Sequence, residues 1–349
     1  IAAAANNGAG ATAAASASIS GTALHQGVLA SGAGNATGTI SNTGSLTIGA
    51  AALSNGTVKA TSGANVDLGI LQEVQTANGN SSATLTNSAG GALSVGSLAN
   101  AVAGTDDAQA QAQVGIGAAQ LVQAGGGDAT ATINNGGTAN VAANAQANGG
   151  EDATAIGLVT IGYGQAAQGD KNAYANFDNS GTANVAAIGH AVSGNLGAGS
   201  NTAIGVGAFG VGVGQIAAGS TSAIASIHNA ATADATAPAT LSGHAKGSAT
   251  AVNEAYAGAG FGVGIAQGAL ADEKANANLD NNGVINYDAV ATAKATNDDA
   301  HAGAGFLAGS LQVAVATATT TNPDGGASVG LTNGPDGSIT YGASANATA

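Results

Sequence analysis

The sequence predicts an all-β repeat protein, with a parallel β-solenoid preferred and an antiparallel β-sandwich or meander as the alternative. Three observations carry that prediction. An asparagine returns in one setting as Asn42, Asn87, Asn135, Asn179, Asn229, Asn281 and Asn333, at steps of 45, 48, 44, 50, 52 and 52 residues. A period of this size over the whole chain marks a repeat architecture. One large apolar residue stands two positions before each anchor: Ile40, Leu85, Ile133, Phe177, Ile227, Leu279 and Leu331. From Ala129 to Gln165 the odd positions are mostly apolar or small, whereas Thr130, Thr132, Asn134, Thr138 and Asn140 hold even ones. Alternation with period two is a strand signal, and helical spacing is nowhere comparable because Gly, Asn and Thr interrupt the alanines.

Taken in order, the chain opens with Ile1–Ser20, which alternates small apolar residues inside an anchor-free segment, 1–34. The repeats then run to the end as one elongated domain over 1–349. Turn chemistry separates the strands at Asn7-Gly8, Asn55-Gly56, Asn78-Gly79, Asn148-Gly149-Gly150, Asp170-Lys171-Asn172, Asn282-Gly283 and Pro323-Asp324-Gly325, residues that supply left-handed backbone at little cost. Two or three strands then fit each repeat, and a half-repeat of about 22–26 residues is the expected single coil.

A second marker keeps phase with the first. Gln165, Gln215 and Gln267 lie 14 residues before their anchors, and Gln72 and Gln120 lie 15 before theirs. Gln312 departs from the rule through a longer insertion at Thr317–Thr321. In a stacked parallel sheet identical residues recur roughly 4.8 Å apart, so amide side chains can chain hydrogen bonds along the stack. The seven anchors are therefore expected to form a ladder at a coil corner, where they also satisfy turn backbone groups.

Composition excludes several function classes. The chain has no Cys, Met, Trp or Arg, and its 19 acidic and five basic residues give a net charge of −14. Nucleic acid and anionic membranes are poor partners for such a surface, because both need Lys and Arg. No apolar run of about 18 residues offers a spanning helix, so membrane insertion is not expected. The start at Ile1 and the lack of thiols suit a secreted protein after signal-peptide removal, placing it outside the cell or on its surface. An apolar content of 44% argues against disorder.

No catalytic constellation stands out, and the chain is not expected to be an enzyme. His25, His190, His228, His244 and His301 share no repeat position or zinc-ligand spacing. No nucleophile elbow is present. The glycines of Gly205–Gly214 alternate along a strand without a phosphate-binding lysine, which points to close backbone approach. Acidic pairs between repeat blocks are candidate calcium ligands: Asp106, Asp107, Asp128, Glu151, Asp152, Asp170, Asp272, Glu273, Asp298 and Asp299. Calcium takes oxygens from clustered carboxylates in loops, while solvated charge that keeps the surface soluble is the alternative.

Segments such as Ile133-Asn-Asn-Gly-Gly-Thr-Ala-Asn-Val141 and Phe177-Asp-Asn-Ser-Gly-Thr-Ala-Asn-Val185 resemble the passenger regions of bacterial autotransporters and filamentous-haemagglutinin-like surface proteins. The core here is richer in Ala and Gly, and a translocator barrel is not expected among these 349 residues. The resemblance implies an extracellular, elongated β-structure.

The Ala/Gly core buries little apolar area per strand, and neither Ile1–Ala5 nor Tyr341–Ala349 has the look of a polar cap. Self-association through the ends is expected. The sequence thus predicts a structural subunit of an extracellular homopolymeric fibre, from a bacterial surface or biofilm matrix. Its joint is strand addition by Ile1–Ser20, by the strand after Gly337, or end-to-end stacking. An adhesin stalk that presents a tip to glycans or abiotic surfaces is the alternative. Ice binding, suggested by Thr130/Thr132 and Thr317–Thr321, comes third.

Overall fold

The computed structural model describes residues 2–194, 201–232, 237–317 and 326–349. The Pro323-Asp324-Gly325 turn and most of the Thr317–Thr321 insertion lie outside them. Among the described residues there are 20 strands and no helix, hence none long and apolar enough to cross a membrane.

Each turn of the chain uses a long strand, a short strand and one of intermediate length. Coil 1 comprises β1 (Ala2–Ala30), β2 (Ala36–Asn42) and the first half of β3 (Ser45–Thr76). Coil 2 takes the second half of β3, then β4 (Ser81–Asn87) and β5 (Ala92–Ala103). Coil 3 is β6 (Ala108–Ala124), β7 (Ala129–Asn135) and β8 (Thr138–Gly149), and coil 4 is β9 (Ala153–Gly169), β10 (Asn172–Asn179) and β11 (Thr182–Ser193). Coil 5 is β12 (Thr202–Gly219), β13 (Ser222–Ala230) and β14 (Thr240–Thr250). Coil 6 is β15 (Glu254–Ala271), β16 (Lys274–Asn282) and β17 (Val284–Lys294), and coil 7 is β18 (Ala300–Ala316), β19 (Gly326–Asn333) and β20 (Ser338–Thr348).

The short strands form a seven-stranded sheet ordered β19-β16-β13-β10-β7-β4-β2. Long and intermediate strands form two further ladders, which β3 joins into one 13-stranded sheet because it belongs to both. Strand pairs are parallel throughout, as in β7 with β10 and β10 with β13, so the chain is a parallel β-solenoid and not an antiparallel sandwich. Register is kept in phase: Asn135 faces Asn179 and Asn179 faces Asn229.

One expectation is corrected. A coil is a whole repeat, not half of one. Asn55-Gly56 lies inside β3 and Asn7-Gly8 inside β1, so these residues bend a continuous strand around a corner without reversing it. Asn78-Gly79 and Asp170-Lys171 do fall between strands. Identical side chains meet in a stack only when one full repeat separates them, and that sets the coil at the anchor spacing.

Ile1–Ser20, or the strand after Gly337, was expected to pair with a neighbour. Within the chain, β1 is paired with β3 from Ala2 to Ala30, its first residues Ala2–Gly10 covering the outer edge of Gly49–Gly56, and β20 is paired with β17 from Ser338 to Thr348. Each segment keeps its outer edge free.

The core is thin and alanine-rich, with Ala83, Ala131, Ala175, Ala225 and Ala277 fully buried along the short strands. Alanine and glycine suit this packing because they lose almost no side-chain freedom on burial. The long strands kink where pairing skips a residue, as between Val114/Val159, Ile116/Ile161 and Ala118/Tyr163. Gly69, Gly117, Gly162, Gly212, Gly264 and Gly309 stack at this kink. A Cβ on Gly162 would lie 2.2 Å from Val185 Cγ2 and 2.6 Å from Gly212 O. The missing side chain lets the facing strand come close, as glycine in a strand interior often does.

Candidate functional site: the amide ladders and the end coils

The anchor asparagines form one continuous hydrogen-bonded file. Asn42 Nδ2 donates to Asn87 Oδ1 at 2.8 Å, Asn87 to Asn135 at 2.8 Å, and Asn135 to Asn179 at 2.7 Å. Asn179 donates to Asn229, Asn229 to Asn281, and Asn281 to Asn333, each at 2.7 Å. Each of these donors also reaches the carbonyl at a strand start, as Asn135 does to Thr182 O at 3.0 Å and Asn179 to Thr240 O at 2.9 Å. The corner thus satisfies backbone groups that burial would otherwise leave unpaired. The apolar residues two positions earlier pack inside, with Phe177 and Ile227 fully buried.

A second file runs where the long strand turns toward the short one. Gln72 Nε2 donates to Gln26 Oε1 at 2.8 Å, Gln120 to Gln72 at 2.7 Å, and Gln165 to Gln120 at 2.9 Å. Gln215, Gln267 and Gln312 continue it at 2.8, 2.9 and 2.8 Å. Each Nε2 also donates to a carbonyl of the short strand, such as Thr132 O from Gln120 and Asn176 O from Gln165. Gln312, which broke the sequence spacing, is a full member, because its extra residues fall between β18 and β19. Gln26 is a member that sequence reasoning missed. Its signal was a glutamine 16 residues before Asn42, one step beyond the spacing of the others.

The two files point in opposite directions. Asparagine amides donate toward the C-terminal coil, and glutamine amides donate toward the N-terminal coil. Interior members are buried: Asn229 and Asn281 are fully so, as is Gln72. At the ends the bonding is incomplete. Among the described residues Gln26 Nε2 has only Thr39 O and Asn333 Nδ2 only Gly337 O, and no donor reaches Gln312 Oε1 or Asn42 Oδ1.

The candidate calcium ligands come together only in part. Asp106, Asp107 and Glu151 bring carboxylate oxygens within 4.8 Å of one another. Lys59 Nζ lies 2.9 Å from Asp107 and 3.4 Å from Asp106, and its hydrogen bond holds the Asp107 carboxyl below its ordinary range. Asp128 Oδ1 accepts from Asn172 Nδ2 at 2.8 Å, and Asp152 Oδ1 accepts from Thr202 N at 2.9 Å. These two carboxylates tie one coil's turn to the next. Asp170, Asp272, Glu273, Asp298 and Asp299 stand between strands, outside that triad.

Four of the five histidines make contacts between coils. His25 pairs with Glu73 at 3.0 Å and His228 with Asp280 at 3.3 Å. His244 contacts Asp288, and His301 stacks on Tyr256 with centroids 5.0 Å apart. Thr132 stacks on Thr84 and Thr39, and Thr130 on Ser82 and Thr37, but both ranks end at the next coil with Asn176 and Tyr174. The glycines of Gly205–Gly214 admit other strands: a Cβ on Gly205 would lie 2.0 Å from Ser248 O.

No protein-family model, no curated protein and no solved structure matches this chain.

Proposed function

We propose that the protein is a structural subunit of an extracellular homopolymeric fibre, of a bacterial surface or biofilm matrix. One observation carries this: β1 and β2 at one end and β18, β19 and β20 at the other leave their outer edges unpaired among the described residues, while the strands between them are bonded on two sides. Unpaired parallel edges are templates for another chain. Apolar side chains accompany them: Leu331 is 52% exposed on the last coil, whereas its column neighbour Leu279 is 1% exposed. The extracellular setting draws on the absence of cysteine and methionine and on the resemblance to secreted β-repeat surface proteins.

An adhesin stalk that binds glycans or surfaces is the second reading. It draws on an outward apolar groove along the kink of the long strands, where Leu121, Ile216 and Leu311 are exposed. Electron microscopy and sedimentation of the purified chain over a range of concentrations separate the two. A fibre subunit polymerises as concentration rises. A chain that stays monomeric throughout removes the fibre reading and leaves the stalk.

A further inference from the structure

We infer that the two ends of this chain join head to tail by continuing both amide files across the junction. Asn333 Nδ2 of one copy donates to Asn42 Oδ1 of the next, and Gln26 Nε2 of that next copy donates to Gln312 Oε1 of the first. The inference rests on the fibre reading and names its joint as end stacking, with β20 taking the edge of β3 that Ala2–Gly10 cover in the single chain.

Polarity is the first argument. The last coil offers an asparagine donor and a glutamine acceptor, and the first coil offers the complementary acceptor and donor. A head-to-tail junction matches both pairs at once. Two first coils can meet only with one copy turned over, which sets facing strands antiparallel and lays the long strands over the intermediate ones, so files and ladders cannot both continue. Two last coils would fail in the same way. The files therefore specify direction as well as contact, much as mismatched polar groups reject wrong partners.

Packing continues in the same register. The column Ile40, Leu85, Ile133, Phe177, Ile227, Leu279 and Leu331 runs along the short strands, so a stacked copy sets its Ile40 on the exposed Leu331. Val28 falls likewise on the column that ends at Ala314. The long and short ladders, their apolar columns and both files then run through the joint without a break, while on the intermediate ladder Ala2–Gly10, which cover Gly49–Gly56 of β3 in the single chain, give way to β20 of the preceding copy.

Charge placement fits a second copy as the occupant. No Lys, Arg, Asp or Glu occurs before Lys59, and after Asp299 only Asp324 and Asp336 are charged. Two chains of net charge −14 can thus meet without bringing their acidic middle coils together. A joint of this kind is nearly insensitive to salt, because screening acts on charges the faces do not carry.

The test uses the 349-residue chain with Gln26→Glu or Asn333→Asp, each of which replaces a donor by an acceptor at one end only. Each variant alone is expected to need about ten-fold or more protein to assemble than the parent, the loss of roughly 1.4 kcal/mol at the joint. Mixed in equal amounts, the two should form a dimer through their intact ends and go no further, as read by sedimentation velocity. If an acid substitution unfolds its coil by circular dichroism, Gln26→Leu and Asn333→Leu take its place with the same expectation. Dimers of either variant alone would show a head-to-head junction and overturn the inference. So would parent-like assembly of both variants, which leaves the fibre reading intact. A parent chain that never assembles overturns the fibre reading along with the joint.

Discussion

The ring of Tyr287 fills the space that Gly243 leaves bare on the neighbouring strand: a Cβ on Gly243 would lie 2.4 Å from Tyr287 Cδ1 and 2.7 Å from Phe209 Cζ. This column reads Ile48, Val95, Val141, Val185, Gly243, Tyr287 and Tyr341 along the intermediate strands. Opposite it, Val66, Val114 and Val159 give way to Phe209, Phe261 and Phe306. Those rings stack with centroids 5.1 and 4.8 Å apart and planes within 4°. Volume is moved from the intermediate ladder to the long one at coil 5, and Gly243 makes the exchange fit.

Gly243→Ala is accordingly expected to destabilise the fold by about 1–3 kcal/mol through overpacking, measured by urea unfolding. Gly303→Ala is the control, since nothing lies within 4 Å of its added Cβ. It is expected to change stability by less than about 0.5 kcal/mol.

The Tyr287 hydroxyl is buried without a hydrogen-bond partner. Burial pushes its pKa well above the ordinary tyrosine value, with Tyr341 and Tyr163 adding to the effect, and burial likewise pushes Tyr341 up to about 12. The folded state therefore holds these protons more tightly than the unfolded chain. Their contribution is fully present below the unfolded value of about 10 and is lost as pH rises through the folded values. Thermal melts should show stability falling in alkali above about pH 10, with a shallower fall for Tyr287→Phe. At neutral pH that variant is expected to be as stable as the parent or more so, because it removes an unpaired buried polar group.

Position in the file decides what an anchor asparagine contributes. Asn179 is buried, accepts from Asn135 and donates to Asn229 and Thr240 O. Asn179→Ala is expected to cost on the order of 2–4 kcal/mol, since its neighbours would be left unpaired out of water. Asn333, exposed at the last coil, is expected to cost about 1 kcal/mol or less on the same substitution in the monomer. Equal losses at the two positions, by urea unfolding of dilute protein, would show that the file does not bear on stability.

What was legible in the sequence was whatever repeats in a column. The anchors, their Ile/Leu/Phe partners and five of the glutamines keep phase because each must meet its own kind one coil away. Period-two alternation gave the strands for the same reason. Coil size was not legible, since an Asn-Gly pair can reverse a chain or merely bend it, and Asn55-Gly56 in β3 bends. Gln26 escaped, and Gln312 was seen only as a departure from the spacing, because turn lengths vary while the file does not. The kink glycines and the exchange of Val for Phe and Tyr were hidden for a different cause: each depends on what the facing sheet presents, and that pairing is not local in sequence.

Helical reconstruction of the assembled fibre by electron microscopy tests the central claim most directly, because the axial step per subunit depends on how the ends meet. Seven coils joined without a break give a step of about 34 Å, at roughly 4.8 Å per coil. All subunits should point the same way, with Asn333 beside Asn42 and Gln312 beside Gln26 at every junction. A clearly longer step, alternating polarity or side-by-side packing of the solenoids would contradict it.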